Sequence, residues 1–320
     1  MNARIYFLKA YTPMHQGIGQ VPAPVDLPIA REKHTGYPII RHMKGPIRAW
    51  YGRQERSSED MENEIFGPPN ISSEGGASAG RIIFSDAYLL FFPVRAAFVP
   101  FYMVTCPFAL KRFVRHLEML KEKPKILKDE HEKLESIVKR LEADKSDVAL
   151  ISESVGRRKD IIEGFSLQLA EDGDVESLKE LFPDELFSGM PLMVVSDTLF
   201  SYIVQSFTEV VARVKLKADN GTVESGPWWE EYVPAEAVFY MWVQKRERKQ
   251  ERKQNSDHTK KKKEVEEKDK NKDKEREIEE AIKDLFRDLN NAFLEVGGDI
   301  TVGKGKVKMI PWEEGDGGEK

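Results

Sequence analysis

Apolar residues occur along the chain in short runs, and each run is followed by a polar or glycine-rich connection. The segment ‘RIYFLKAYT’ at residues 4–12 is rich in aromatic and β-branched residues, which predicts a first, largely buried strand. The segments ‘RIIFSDAYLLFFPV’ at 81–94 and ‘AFVPFYMVTC’ at 97–106 predict two or three more strands, and ‘GKVKMI’ predicts a last one. Between them, ‘PMHQGIGQVPAP’ reads as a loop, and ‘RSSEDMENEIFGPPNISSEGGASAG’ at 56–80 as an exposed, mobile loop.

Two early segments show helical spacing instead. In ‘IIRHMKGPIRAWYG’ a helix is expected to begin near Pro46, which the first turn tolerates, with Ile47, Trp50 and Tyr51 on its apolar side. Residues 109–145 predict two packed helices, separated at Pro124 and inserted into a strand-rich domain. The second of these helices repeats apolar residues at Leu127, Leu134, Ile137 and Leu141.

Two later segments also predict amphipathic helices. The segment ‘SDTLFSYIVQSFTEVV’ begins with a Ser/Asp cap and then places apolar residues on one helical face. Those residues are Phe200, Ile203, Val204 and Phe207. The segment ‘EIEEAIKDLFRDLNNAFLEV’ predicts one helix whose apolar side carries Ile278, Ile282, Leu285, Leu289, Phe293 and Val296.

A hairpin and a charged segment complete the pattern. Asn220-Gly221 lies between alternating segments within 205–235 and predicts a tight hairpin turn, in which both residues have positive φ. Residues 244–277 contain fifteen Lys and Arg, ten Asp and Glu, and Val265 as the only sizeable apolar side chain. Such a segment cannot form a core, so it is a solvated helix or a disordered insertion. A basic arm that grips RNA is the alternative.

The order of these elements predicts one α+β domain over residues 1–320, with helices on one face of an antiparallel sheet. The ferredoxin-like arrangement is the commonest version of this architecture. Cys106 is the only cysteine, so a disulfide within the chain and a thiolate zinc site are excluded, and a buried core position is expected for it. The N-terminus does not read as a signal peptide and no apolar run reaches the length of a membrane span, so a cytoplasmic protein is expected.

Charge is distributed unevenly along the chain. The whole chain has a net charge of −5, yet residues 1–54 have eight Lys and Arg against two acids. This asymmetry favours one face that binds a polyanion and other faces that contact protein, although a chance solvated surface gives the same counts. The stretch ‘VDLPIAREKHTGYPIIRHMKGPIR’ at 25–48 carries most of these cations: Arg31, Lys33, Arg41, Lys44 and Arg48.

Asp26 is an unusual carboxylate at the leading edge of this basic stretch. Among cations it stays ionised, and it would suffice to hold a hydrated Mg²⁺, which needs only one or two protein oxygens besides phosphate and water. Such an ion could neutralise a phosphate while a neighbouring 2′-hydroxyl attacks it in line. A salt bridge to Arg31, or a turn before Pro28, explains the same residue equally well.

Glycines form two clusters that suit a sugar-phosphate backbone, because glycine lets main-chain N–H groups approach phosphate. The residues of interest in these clusters are Gly17, Gly19, Gly298, Gly303, Lys304 and Gly305. Neither cluster matches a mononucleotide or dinucleotide fingerprint. The six histidines lack the spacing of a metal cage, and His15, His34 and His42 lie in the basic region, where stacking or hydrogen bonding is favoured over proton transfer.

The blocks ‘YTPMHQGIGQ’, ‘VDLPIAREKHTGYPII’, ‘MKGPIR’, ‘VVSDTLF’, ‘GPWWEEYVPAE’ and ‘GGDITVGKG’ together resemble the RAMP superfamily. Within it they are most similar to the repeated backbone subunits of type III-B CRISPR effectors, the Cmr complexes. The resemblance spans nearly the whole chain in order, and residues 244–277 fall outside it as an insertion. It departs from the family at Arg41, His42 and Met43, where small serines are usual.

The resemblance implies a ferredoxin-like (RRM-like) RAMP fold and copies of the chain stacked as a helical filament along guide RNA. In that family a hairpin thumb displaces one base pair of the guide–target duplex every six nucleotides. The candidate thumb here is 205–235, and the segment after Arg56 is the alternative. Target RNA is then cut next to the displaced nucleotide with a divalent metal, Mg²⁺ or Mn²⁺, by an aspartate that corresponds to Asp26. His15, Glu230 and Tyr232 match positions proposed to assist, and Lys44 and Arg48 would contact guide phosphates.

Two other functions remain open from the sequence. The chain could be a structural sleeve for guide RNA whose nuclease partner lies elsewhere in the complex. It could also be a metal-independent RNase that processes guide RNA with His15 or His34.

Overall fold

A mainly antiparallel sheet forms the centre of the protein, and its first strand lies in the interior. The computed structural model describes residues 3–69, 79–120, 127–144, 148–246 and 261–312. In chain order the strands are β1 (Ala3–Ala10), β2 (Ile39–Ile40), β3 (Ile82–Phe84), β4 (Ala87–Arg95), β5 (Phe101–Thr105), β6 (Ala149–Ile151), β7 (Lys159–Ile162), β8 (Phe165–Glu171), β9 (Leu192–Val194), β10 (Glu209–Leu216), β11 (Val223–Tyr232), β12 (Val238–Lys245), β13 (Phe293–Glu295) and β14 (Lys306–Pro311). The helices are α1 (Lys44–Tyr51), α2 (Glu59–Phe66), α3 (Pro107–Met119), α4 (Leu127–Ala143), α5 (Gly173–Glu180), α6 (Asp197–Ser206) and α7 (Lys261–Leu289).

The strand order brings distant parts of the chain together. Within the described residues, twelve strands form one sheet in the order β13-β14-β1-β12-β4-β5-β9-β6-β8-β7, with β2 added to β4 and β3 added to β12. β1 is antiparallel to both neighbours, so that Phe7 lies opposite Tyr240 and Leu8 lies opposite Met309. As a result, the loop after β1, the connection before β12 and the loop before β14 meet at one end of the sheet.

The sheet is covered on both faces, which differs from the expected single helical face. Along β1, Tyr6 and Leu8 point into a core shared with α1, α2, α6 and α7, whereas Ile5 and Phe7 point into a core shared with α3, α4 and α5. A strand buried on both sides explains the unbroken apolar run at its start. Each fully buried phenylalanine, such as Phe7 at 0% exposure, stabilises the fold by about 2 kcal/mol.

Several predicted elements are confirmed. β1, β4, β5 and β14 form where the apolar runs predicted strands, and α1 begins at Lys44 with Pro46 in its first turn. In α6 the Ser196 hydroxyl accepts a hydrogen bond from the Leu199 N–H at 3.3 Å, as a capping serine should. Cys106 is fully buried.

The segment 56–80 is not a loop throughout. α2 occupies Glu59–Phe66, and its capping Ser58 accepts a hydrogen bond from the main-chain N–H of Met61 at 3.2 Å. Ile65 and Phe66 are buried against the core that contains α1. Three signals predict this helix: the Ser cap, the acidic first turn and the spacing of these apolar residues. The prediction missed it because the rest of the segment is rich in glycine and serine, which is typical of a loop. Residues 70–78 lie outside the described part of the chain.

The predicted helix at the end of the chain is too long. α7 ends at Leu289, and Asn291 with φ of 61° turns the chain so that Phe293 starts the edge strand β13. Phe293 is 49% exposed and packs edge-on against Tyr11, and is not part of the helical apolar face. The helical spacing of apolar residues continues by chance past the end of the helix. Asparagine tolerates a positive φ, so the turn at this position costs little conformational energy.

The two predicted insertions have the following structures. Residues 109–145 contain α3 and α4, and Pro124 lies outside the described residues. The α4 side chains Leu134, Ile137 and Leu141 are buried. Of residues 244–277, the first two end β12, residues 247–260 are outside the described part, and 261–277 form the first half of α7. Residues 272–277 of this helix are exposed, as expected for a solvated helix.

The hairpin of 205–235 is present, as β10 and β11, but its turn is wider than predicted. Lys217 N–H donates to Thr222 O at 2.8 Å, which closes a six-residue connection instead of a two-residue turn. Gly221 has a positive φ of 68°, but Asn220 does not and instead accepts hydrogen bonds from Thr222 through its side chain. The side-chain turn of Asn220 therefore replaces the expected pair of left-handed residues.

Candidate active site

Asp26 lies in the loop after β1, where the chain runs alongside β11. The Leu27 N–H donates to Trp229 O at 3.0 Å, and the Glu231 N–H donates to Leu27 O at 3.0 Å. Leu27 therefore pairs with Glu230 in parallel register. This short pairing fixes the loop that carries Asp26 to the base of the hairpin, although 203 residues separate the two segments.

The Asp26 carboxylate is half-buried and is oriented by the main chain. Its Oδ2 accepts a hydrogen bond from the Trp229 N–H at 2.8 Å. The hydrogen bond holds the side chain in one direction without neutralising it. Among the described residues, Asp26 forms no ion pair, so no cation of the chain occupies the carboxylate in place of a ligand.

The guanidinium of Arg31, the alternative partner of Asp26, is engaged elsewhere. It forms an ion pair with Glu231 and donates to Gly36 O at 2.8 Å and to Val204 O at 2.9 Å. Glu231 in turn accepts from the Ile29 N–H at 3.0 Å, which closes the contact between the loop and β11. Arg31 thus stabilises the loop through its contacts with β11 and α6. The salt bridge between Asp26 and Arg31, which was one of the alternatives from the sequence, does not form.

A second group of side chains surrounds Glu230, which is buried. Its Oε1 accepts from Trp228 Nε1 at 2.7 Å, and its Oε2 accepts from Arg213 at 2.6 Å and from the Tyr232 hydroxyl. The Tyr232 hydroxyl also lies 3.0 Å from Asp299 Oδ2, and Arg213 reaches Asp299 Oδ1 at 2.7 Å. We call Arg213, Glu230, Tyr232 and Asp299 the carboxylate network.

The carboxylate network keeps both of its acids ionised. Burial by itself would raise the pKa of Glu230, but the hydrogen bonds that its carboxylate accepts outweigh burial and lower the pKa below its ordinary value. The same balance, with Arg213 as the main donor, lowers the pKa of Asp299. Burial, together with hydrogen bonds to two carboxylates, raises the pKa of Tyr232, so its hydroxyl keeps its proton. Glu230 and Tyr232 are therefore held as a rigid, fully bonded pair.

His15 lies beside this network. Its Nδ1 donates to Glu231 O at 2.7 Å, so Nε2 is the ring nitrogen that this contact leaves available. The ring centroids of His15 and Tyr232 are 5.6 Å apart. A Cβ on Gly17 would lie 2.3 Å from His15 Nε2, so glycine is required where this ring edge meets the exposed loop.

The second glycine cluster packs against the same place. The Gly298 N–H donates to His15 O at 2.8 Å, and a Cβ on Gly305 would lie 2.2 Å from Val296 O. Lys304 places its ammonium group 4.9 Å from the ring centroid of Tyr232. Gly303, with φ of 82°, and Gly19, with φ of 90°, are exposed and have open space around them. The two glycine clusters, separate in sequence, therefore flank one site.

The remaining predicted cations divide into two groups. Lys33, Arg41 and Lys44 are exposed, and Lys44 is the first residue of α1. Arg48 instead donates to Gly67 O at 2.7 Å and to Asn63 at 3.0 Å, and pairs with Glu62. Its guanidinium holds α1 against α2.

A protein-family comparison matches residues 7–308 to the model of the RAMP superfamily. The chain belongs to the RAMP superfamily. It is 31% identical, over 97% of its length and 95% of the relative's, to the CRISPR system Cmr endoribonuclease Cmr4 of Pyrococcus furiosus. This match confirms the resemblance to type III-B Cmr backbone subunits that the sequence blocks indicated.

Solved structures agree on the fold. The crystal structure of oligomeric Cmr4 from Pyrococcus furiosus superposes with a TM-score of 0.64 at 26% identity, covering 97% of this chain and 98% of that one. A chain of the cryo-EM structure of the type III-B Cmr-beta complex bound to cognate target RNA gives 0.72 at 21% identity, with 98% of both chains covered. The α+β RAMP fold is thereby confirmed. No helix within the described ranges is both long and apolar enough to cross a membrane.

The RAMP site shows no ready-made metal cage. Across the residues that the structure describes, no group of three or more His, Cys, Asp and Glu side chains is arranged to hold a metal ion. The donor set at Asp26 is one carboxylate, which suits a largely hydrated Mg²⁺ or Mn²⁺ that would take its other ligands from a phosphate and water. The residues present therefore fit a loosely held divalent ion and do not fit a tightly bound one.

Two members of the carboxylate network were not found from the sequence. Asp299 lies inside the block ‘GGDITVGKG’, where the glycines and Lys304 drew the interpretation toward backbone contacts. Its φ of 60° is a conformation that few non-glycine residues adopt, which only the structure reveals. Arg213 lies in an ordinary alternating strand, and no local signal distinguishes it from the neighbouring lysines.

Proposed function

We propose that this chain is the repeated backbone subunit of a type III-B CRISPR ribonucleoprotein and an endoribonuclease. Several copies of the chain stack along guide RNA together with the other Cmr subunits. The assembly binds complementary target RNA and cuts it at intervals of six nucleotides, in the cytoplasm, as antiviral defence. Similarity over nearly the full length to a Cmr endoribonuclease supports this proposal.

One observation carries the assignment of catalysis to this chain. Asp26 is a half-buried carboxylate in the basic stretch 25–48, oriented by the Trp229 N–H and not paired with Arg31. A carboxylate kept only for structure would be expected to pair with Arg31, the guanidinium nearest to it in sequence. Here that guanidinium is paired with Glu231, and Asp26 is left to act on a ligand.

The residues divide the work as follows. Lys33, Arg41, Lys44 and Lys304 bind phosphates by charge, and the exposed Gly17, Gly19, Gly298 and Gly303 let the RNA backbone approach the main chain. Arg31, Arg48 and Gly305 hold the elements that carry these groups in place. Glu230 and Tyr232 position the loop of His15 and the hairpin base, and do not exchange protons themselves. The hairpin β10–β11 is the thumb that displaces a nucleotide.

The chemistry is a transesterification at the phosphate next to the displaced nucleotide. The 2′-oxygen attacks phosphorus in line as the bond from phosphorus to the 5′-oxygen breaks, and the leaving 5′-oxygen takes a proton from water, which yields a 2′,3′-cyclic phosphate and a 5′-hydroxyl. Asp26 would hold a divalent cation, which would supply charge neutralisation at the phosphate. His15 offers its Nε2 to receive the 2′-hydroxyl proton. A regular A-form duplex does not permit the in-line geometry, so a nucleotide must be displaced first.

The experiment that tests this function uses the assembled complex and labelled complementary RNA with Mg²⁺ or Mn²⁺. We expect a ladder of products six nucleotides apart, which disappears when EDTA removes the metal and returns when the metal is restored. An intact target RNA would indicate a structural sleeve. Cleavage of precursor guide RNA by the isolated chain in EDTA would indicate a metal-independent processing enzyme.

A further inference from the structure

Trp229 presents a large apolar ring to solvent next to the candidate catalytic carboxylate. Its side chain is 43% exposed, although it lies at the base of the hairpin, where neighbouring side chains are buried. The adjacent Trp228 differs, because its indole Nε1 is bound to Glu230 at 2.7 Å. Within the described residues, the Trp229 indole makes no hydrogen bond and no ring contact.

The main chain of Trp229 is fixed to the Asp26 loop through both of its polar groups. Its N–H donates to Asp26 Oδ2 at 2.8 Å, and its carbonyl accepts from the Leu27 N–H at 3.0 Å. The main chain that carries the indole is therefore fixed beside Asp26, and the backbone needs little ordering when a ligand arrives.

The bridge between the two segments brings Asp26 next to Trp229. Leu27 pairs with Glu230 in one isolated parallel bridge, and the Asp26 carboxylate accepts the N–H of the preceding residue of β11, Trp229. On the hairpin, the residue opposite Trp229 is Ala212, whose small side chain leaves the indole face open.

We propose that the indole of Trp229 stacks on the base of a nucleotide that flanks the phosphate at Asp26. This inference rests on the proposed function and adds a base-binding residue to it. Stacking on an aromatic ring tolerates any base, which suits an effector that leaves sequence choice to base pairing. By holding the displaced base, Trp229 keeps the sugar and phosphate in the in-line arrangement over Asp26.

A nucleobase fits this position better than a neighbouring protein subunit. The ring lies next to the Asp26 carboxylate, which accepts the Trp229 main-chain N–H. The buried core of a subunit interface is depleted of charged residues, so this position suits a nucleotide better. The hairpin also exposes apolar side chains farther along its strands, namely Val210, Val211, Val214, Leu216 and Val223, and a subunit contact is therefore the competing outcome that assembly of the variant complex decides.

The test measures single-turnover cleavage of target RNA by complexes that contain Trp229→Ala or Trp229→Phe. Phe98→Ala is the matched control, because Phe98 is also an exposed aromatic residue, at 49%, but lies in the loop between β4 and β5. We expect Trp229→Ala to cut about tenfold to a hundredfold more slowly, the range that the loss of one stacked base implies. Trp229→Phe should keep most of the rate, and Phe98→Ala all of it.

A second measurement separates stacking from a structural role. A target RNA with an abasic residue on one side of the cut phosphate, or on the other, removes the base and leaves the backbone intact. For one of these two positions we expect the wild-type complex to slow by the factor seen for Trp229→Ala, and the variant to show no further loss. If Trp229→Ala only damaged the structure, its loss of rate and the loss caused by the abasic residue would multiply at both positions.

Several results would overturn the inference. They are an unchanged rate for Trp229→Ala, multiplicative losses at both abasic positions, or a Trp229→Ala complex that fails to assemble, which would assign the ring to a subunit contact. In each case an inactive Asp26→Asn complex would leave the proposed nuclease function in place. An active Asp26→Asn complex would instead remove that function.

Discussion

Arg213 donates a hydrogen bond to Oδ1 of Asp299 at 2.7 Å, and this contact ties strand β10 of the hairpin to the glycine loop before β14. The same guanidinium reaches Glu230 on β11 at 2.6 Å. One cation thus joins both strands of the hairpin to a loop 86 residues away in sequence. We expect the orientation of the hairpin relative to the glycine loop to depend on it.

Replacing Arg213 by methionine leaves two partly buried carboxylates without their cation. We expect Arg213→Met to lower the free energy of unfolding by roughly 1–3 kcal/mol, the usual cost of buried hydrogen-bonding groups left unsatisfied. Urea denaturation of the purified chain measures it. The Arg213→Met/Asp299→Asn double variant should lose less than the sum of the single losses, and strict additivity would show that the two residues do not interact.

The carboxylate network also makes stability depend on acid pH. Burial opposes ionisation of Glu230 and Asp299, but their hydrogen bonds outweigh it, and the pKa values of both lie below their ordinary values of 4.5 and 3.8. Groups with a lowered folded-state pKa stabilise the protein fully above the unfolded-state pKa. This contribution is lost as the pH falls through the folded-state pKa, so the window lies below about pH 4.5.

Thermal denaturation at pH 7 and at pH 3.5 should therefore show a larger loss of stability in the wild-type chain than in Arg213→Met. In the variant, the lowered pKa values return toward normal, and less stability depends on ionisation. Equal losses in the two chains would mean that Arg213 does not set these pKa values.

Guide RNA binding should depend on Lys33 and Lys44 through charge alone. Each exposed lysine that contacts a phosphate displaces counterions, so Lys44→Ala or Lys33→Ala should reduce the slope of log affinity against log salt concentration by about 0.7 for a single-stranded guide. Filter binding over a series of KCl concentrations measures this slope. An unchanged slope in both variants would indicate that the guide RNA does not contact these lysines and does not pass over α1.

Arg48 provides the contrast for this experiment. Its guanidinium is occupied by Glu62, Asn63 and the Gly67 carbonyl. Arg48→Ala should destabilise the contact between α1 and α2 and lower the melting temperature, with little effect on the salt slope. A slope change like that of Lys44→Ala would show that Arg48 leaves its present partners when RNA binds.

Local patterns predicted the elements whose signals are local. The buried strand β1, the serine-capped α6 and the hairpin β10–β11 all follow from neighbouring residues. α2 was missed because a short capped helix lies inside a glycine- and serine-rich stretch. The parallel pairs β5–β9 and β6–β8 could not be predicted in this way, because parallel pairing joins segments that the local pattern does not relate.

The site shows the same limit. Asp26 was recognisable as an acid at the leading edge of a basic stretch, and the family resemblance added His15, Glu230 and Tyr232. The hydrogen bond between Asp26 and Trp229 joins residues that are 203 positions apart in sequence, and the bond between Arg213 and Asp299 joins residues that are 86 apart. Contacts of this kind depend on the strand order, so the choice of Glu231 as the partner of Arg31 could be read only from the fold.

Asp26→Asn provides the most direct test of the central claim, that this carboxylate acts on RNA. Asparagine keeps an oxygen that can accept the Trp229 N–H and removes only the charge. We expect the variant complex to assemble and bind target RNA normally but to lose the six-nucleotide ladder, with cutting slowed at least by the roughly hundredfold that even a supporting group costs a metal site. A ladder of the same spacing and rate as the wild-type complex would contradict the assignment.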